Sequence, residues 1–153
     1  MTRYAENTSV GTDKSRAEIE RTLQRYGADG FMYGWQGARA LVQFVAHGRQ
    51  IRFELPLPDR QAAEFTQTPT GRERSEKQAH DAWEQACRQR WRALALAIKA
   101  KLEAVEAGIS TFESEFLANV VLPGGQTVGA WMTPQIERAY DTGEMPPLLE
   151  APK

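Results

Sequence analysis

GFMYGWQGARALVQFVAHGRQIRFELPL, residues 30–57, decides the fold. Its apolar residues recur at every second position: Phe31, Tyr33 and Trp35, then Ala40, Val42, Phe44 and Ala46, then Ile51, Phe53, Leu55 and Leu57. A period of two is the pattern of strands that send alternate side chains into a core. Gln36-Gly37 and His47-Gly48 interrupt the alternation, and glycine tolerates the positive φ of a tight turn. The stretch predicts a three-stranded antiparallel meander.

Upstream the period changes to that of a helix. Residues 1–14 are polar and read as a flexible leader. Ser15 and Glu18 are spaced as a capping box, Ile19, Leu23 and Tyr26 follow at helical intervals, and Gly27 supplies a stop. A first helix over roughly 16–26 is expected.

Downstream, residues 58–75 hold two prolines and one glycine with few apolar groups, so a long mobile loop is expected. Ser75 and Gln78 form a second capping-box pair ahead of a helix over about 76–107, stopped by Gly108. In it Trp83, Cys87, Trp91, Leu94, Ile98, Leu102, Val105 and Ile109 fall within a sector of about 100°, which predicts a buried stripe. A short helix through Phe112, Phe116 and Leu117 is expected after Ser110, and a turn at Pro123-Gly124-Gly125. Thr133-Pro134 reads as an N-cap followed by proline at the first helical position, which predicts a last helix over 134–141. Residues 144–153 form an acidic, proline-rich tail.

The order is helix, three strands, long helix, then short C-terminal helices, which predicts a single α+β domain over 15–143 with the long amphipathic helix packed on the sheet. Double-stranded-RNA-binding domains share an α-β-β-β-α order, and single-strand annealing proteins also pack a helix on an antiparallel meander. Such likenesses concern fold and not activity.

Charge is unevenly spread. Residues 1–101 hold 17 Lys and Arg against 12 Asp and Glu, whereas residues 102–153 hold 2 against 8. From Arg88 to Lys101 there are five basic residues and no acidic one. Arg88, Arg92 and Lys99 fall within about 40° of one another on the helix, away from the apolar stripe. With Arg72 and Arg74 in the preceding loop they are the candidate phosphate-neutralising set. Tyr33 and Trp35 are the candidate stacking residues for an unpaired base, because both tolerate partial exposure. The plain alternative is a solvated helix face above a core that absorbs the aromatics.

Other chemistry finds little support. Cys87 is the sole cysteine, lies on the apolar stripe and reads as a small buried hydrophobe. His47 and His80 have no companion at metal spacing. Glu54, Asp59 and Glu64 could be read as a metal-dependent nuclease cluster, but no lysine occurs between Lys14 and Lys77. Pro123-Gly124-Gly125 lacks the Gly-Lys-Ser/Thr ending of a phosphate-cradling loop. No catalytic residue, metal site or cofactor is expected, and an enzyme is the least favoured class. No secretory signal or membrane-spanning stretch is visible.

RAEIERTLQRYGADGFMYGW (16–35), RWRALALAIKAKLEAVE (90–106) and FESEFLANVVLPGGQTVGAWMTPQIE (112–137) together resemble a group of small proteins encoded by bacteriophages and prophages. The resemblance spans most of residues 15–149 and brings no activity with it. It implies a phage-encoded protein in the cytoplasm of the host cell. The expected partner is DNA or RNA, in a non-catalytic, nucleic-acid-associated role in phage DNA metabolism, for example as a single-strand binding or annealing accessory. The competing expectation is a protein-binding factor that inhibits a host defence or regulatory protein. A homo-oligomer is also compatible with the long apolar stripe.

Overall fold

The structure is a computed structural model and describes residues 3–145, with side chains from Asp13 onward. The strands β1 (Gly30–Gln36), β2 (Arg39–Ala46) and β3 (Arg49–Pro56) form an antiparallel meander in the order β1-β2-β3. Gln36 pairs with Arg39 and Ala46 with Arg49, so both hairpin loops contain two residues. His47 and Gly48 have φ of 52° and 70°, the doubly left-handed geometry that matches strand twist.

Register places Phe31, Phe44 and Ile51 side by side, and likewise Tyr33, Val42 and Phe53. These rows line the covered face. Helices α1 (Arg3–Arg25) and α3 (Glu76–Glu106) pack there beside each other, with the short α2 (Ala63–Thr66) between β3 and α3. The core joins Ile19 and Leu23 of α1 to Val42, Phe44, Ile51 and Phe53 of the sheet and to Trp83, Cys87, Trp91, Ile98 and Leu102 of α3. The fold is α+β with helices on one sheet face, as the alternation of periods implies.

The long helix opens as its sequence predicts. Ser75 Oγ accepts from Gln78 N, and the Gln78 side chain accepts from Ser75 N. It closes at Gly108, φ 75°, where Gly108 N donates to Val105 O and Ile109 N to Ala104 O. That closure removes Ile109 from the stripe. It is 82% exposed, and Ala95 is buried between Trp91 and Ile98 instead.

Four other expectations change. The first helix does not begin at Ser15, because α1 starts at Arg3 and runs through most of the expected leader. No proline breaks that stretch, and Arg16 pairs with Asp13 one turn back. Segment 58–75 is not an irregular loop. It contains α2, a Gln67–Glu73 bridge and a turn in which Thr68 N donates to Arg72 O and Gly71 N to Thr68 O. Trp83 Nε1 pins its start by donating to Pro58 O at 2.8 Å.

The short helix α4 (Phe112–Phe116) is capped by Thr111, whose side chain accepts from Ser114 N, and not by Ser110. A 3₁₀ turn at Leu117–Asn119 follows. Val120 then bridges Ile51, and Val121 pairs with Thr127 across the Pro123–Gly125 turn. The last helix, α5, runs Val128–Thr142 with Thr127 as its cap, so Pro134 lies inside it and Thr133 is no N-cap. Thr127 wins because the Val121–Thr127 pairing already presents its hydroxyl to Ala130 N. Of the expected acidic tail, only Glu144 and Met145 are among the described residues.

Candidate nucleic-acid interface

Helices α1 and α3 run side by side in the same direction. Lys14, Ser15 and Glu18 lie against Arg88, Arg92 and Leu96, and further along Leu23 and Tyr26 lie against Leu102 and Val105. Both helices bury their inner faces, so their outer faces form one surface. On α3 that surface carries Arg88, Arg92 and Lys99 along about 16 Å of helix. On α1 it carries Lys14, Arg21 and Arg25, whose spacing places them within about 60° of one another together with Glu18.

None of these six cations forms an ion pair among the described residues. Arg88 is oriented by its neighbour one turn back: its Nε and Nη2 both donate to Gln85 Oε1, at 3.2 and 2.7 Å. Arg25 lies 5.8 Å from the Tyr26 ring centre. Leu96, 55% exposed, sits among the charges as an apolar spot. Glu18 is the carboxylate within the groove. No described carboxylate of residues 102–145 pairs with this surface. Glu113 is taken by Arg49 at 3.2 Å.

The remaining basic residues of the acid-free window do not join it. Arg90 Nη1 donates to Pro56 O at 2.6 Å, and Lys101 Nζ to Glu115 O at 2.8 Å. Both tie α3 to its neighbours. Arg72 is exposed and closes the 68–72 turn, its O accepting from Thr68 N. Arg74 is half-buried, and its Nη1 donates to the carbonyls of Glu64 and Phe65 at 3.3 Å each. Thus Arg88, Arg92 and Lys99 come together as a strip, whereas Arg72 and Arg74 belong to the segment packed on another side of α3.

Register fixes where the two aromatic candidates lie. Tyr33 and Trp35 point to the covered face of the sheet. Tyr33 packs on Trp91 with ring centroids 5.3 Å apart, and the Arg16 guanidinium carbon lies 4.2 Å above its ring. Burial raises its hydroxyl pKa, against the lowering effect of Arg16 and with a small further rise from Asp13. With its surfaces so engaged, Tyr33 offers no open platform for a base. Trp35, at the end of β1, remains 42% exposed.

Lys14, Arg21 and Arg25 were absent from the sequence-based set. The signal was their spacing of seven and four residues on one face, invisible while residues 1–14 read as a leader. A second group also escaped notice. Arg60 Nη2 lies 2.8 Å from His80 Nδ1, and Arg60 stacks 4.6 Å over the Trp83 ring. Guanidinium can only donate, so Nδ1 accepts and the imidazole proton sits on Nε2, which faces Glu84 Oε1 at 3.5 Å.

Glu54 pairs with Arg39 at 3.0 Å, and Asp59 Oδ1 accepts from Gln61 N at 2.9 Å. Among the described residues no three His, Cys, Asp or Glu side chains converge as a metal site, and no helix is long and apolar enough to cross a membrane. No protein-family model, curated protein or solved structure matches the chain.

Proposed function

We propose that this chain is a non-catalytic, nucleic-acid-associated protein of phage DNA metabolism that holds phosphate backbones along the outer surface of α1 and α3. The observation that carries this reading is the strip of exposed Lys14, Arg21, Arg25, Arg92 and Lys99 with the half-buried Arg88 among them, all six without ion pairs among the described residues. Cations arranged this way displace condensed counterions when they meet phosphates. With Tyr33 engaged in the core, base stacking contributes little, so binding is largely indifferent to sequence. Duplex and single strand then differ mainly in their salt slope.

The test is fluorescence anisotropy with a labelled oligonucleotide over a series of salt concentrations. Binding weakens steeply with salt. Arg88→Gln, Arg92→Gln and Lys99→Gln each flatten the slope of log K against log salt by roughly one, with melting temperature unchanged. Absence of salt-sensitive binding at micromolar protein removes the reading.

A second reading is a protein-binding phage factor that inhibits a host defence or regulatory protein. The observation favouring it is α5, which buries no residue and leaves Ile136 and Tyr140 48% and 87% exposed. A stoichiometric host protein that survives nuclease treatment, and is lost with Ile136→Ser and Tyr140→Ser, supports it over the first.

A further inference from the structure

We infer that segment 58–75 and the start of α3 build a separate anion site for a terminal phosphate, the phosphomonoester of a nucleotide or of a nucleic-acid strand end. The cleft measures about 430 Å³ and is lined by Arg60, Thr66, Arg74, Glu76, His80 and Trp83, with Gln61 and Ala79 completing it. At 100° per residue the α3 positions that face it lie roughly opposite Arg88 and Arg92. The site is independent of the α1–α3 strip.

Two features single it out. First, both guanidiniums are held in place by neutral acceptors. Arg60 is fixed by His80 Nδ1 and the Trp83 ring, and Arg74 by the carbonyls of Glu64 and Phe65. Each spends one nitrogen on these contacts, and its other two have no described partner. Neither arginine pairs with a carboxylate. Orientation is therefore fixed while the positive charge stays uncompensated. Preorganised guanidinium forks match the oxygens of phosphate in just this way.

Second, the cleft's charge is one-sided. Glu76 is the only carboxylate in the lining, against two guanidiniums. Glu84 is engaged with the far nitrogen of His80. Two like charges held half-buried in one cleft repel each other, and a dianion between them removes that cost. Thr66 lines the same wall, its hydroxyl donating to Ala62 O at 3.4 Å. Trp83 is fully buried with Arg60 lying over its ring, so the cleft recognises the phosphate group and not a stacked base.

The experiment compares phosphorylated and dephosphorylated probes on the full chain. Isothermal titration calorimetry uses adenosine 5′-monophosphate against adenosine, and anisotropy uses one oligonucleotide with a 5′-phosphate against the same strand with a 5′-hydroxyl. At least one phosphorylated probe binds more tightly than its control, and Arg60→Gln and Arg74→Gln each reduce that gain roughly tenfold. A gain with the nucleotide identifies a free small molecule as the source, and a gain with the oligonucleotide alone identifies a strand end. Arg92→Gln, on the opposite side of α3, leaves the gain intact while weakening backbone binding, which separates this site from the strip. Arg60 contacts only side chains, so Arg60→Gln alone decides the matter should Arg74→Gln fail to fold. Equal binding of phosphorylated and control probes, or a gain untouched by Arg60→Gln, overturns the assignment.

Discussion

Helices α3 and α5 are both amphipathic by sequence, yet they meet opposite fates. The inner stripe of α3 is shut: Trp83, Trp91 and Ile98 are each 0% exposed. Helix α5 buries no residue and packs mainly on the 3₁₀ turn at Leu117–Asn119, with Val128 N donating to Val120 O. The difference lies in what stands opposite each apolar face. Facing α3 is a sheet whose alternate residues are Val42, Phe44, Ile51 and Phe53. Facing α5 is a turn of three residues, reached closely because Gly129 has no Cβ to meet Ala118 O. Periodicity thus foretells a helix, and only a complementary apolar surface turns it into core.

The largest expected effect probes the shut side. Trp91→Ala should cost about 3–5 kcal/mol, measured by urea denaturation. Trp91 Nε1 is buried without a described hydrogen-bond partner, a costly condition for an N–H donor. Trp91→Phe should therefore lose markedly less than its volume change alone suggests. A Trp91→Phe loss as large as its volume change predicts would mean the indole N–H is satisfied in solution. A small loss in both would mean the stripe is not closed.

Cys87 gives the next test. Burial pushes its thiol up to about 11, with Arg90 acting weakly against the shift. Between pH 9 and 11 the unfolded chain then releases a proton that the folded chain keeps. Fewer protons on the unfolded state mean that unfolding gains ground as pH rises. The contribution is fully present below pH 9 and is lost toward pH 11, amounting to about 2–3 kcal/mol. The difference between the native chain and Cys87→Ala, followed by denaturant melts from pH 8 to 11, isolates it from other titrations. A difference that stays constant with pH would place the thiol in contact with water, and iodoacetamide would then modify it without unfolding.

These two regions also explain how much could be read in advance. The meander, its turns and the Ser75–Gln78 cap rest on interactions a few residues long, so residues 30–57 and 75–78 announce them. What failed depended on partners distant in sequence. Pro134 looks like a helix start because proline suits that position, but Thr127 is presented by pairing with Val121, and the helix begins six residues earlier than proline alone implies. Tyr33 looks free until α3 brings Trp91 against it. Arg88, Arg92 and Lys99 were legible as a face because one helix holds them all. Their companions on α1, and the pairing of Arg60 with His80, twenty residues apart, come from packing that no local spacing encodes.

The smallest expected effect lies on α5. Ile136→Ser and Tyr140→Ser remove large apolar side chains, a change that in α3 would cost several kcal/mol. At positions this exposed there is little burial to lose, and the expected change is within about 0.5 kcal/mol. The same substitutions should raise solubility, because Ile136, Tyr140 and Met145 (the last 81% exposed) leave apolar surface in contact with water. Sedimentation at rising protein concentration adds the sharper measurement. If the native chain self-associates and the double variant does not, α5 is covered in solution by another copy, and its contrast with α3 becomes one of when the face is buried. If both remain monomeric while thermal stability falls by more than about 1.5 kcal/mol, α5 packs on its own chain, and the contrast with α3 disappears.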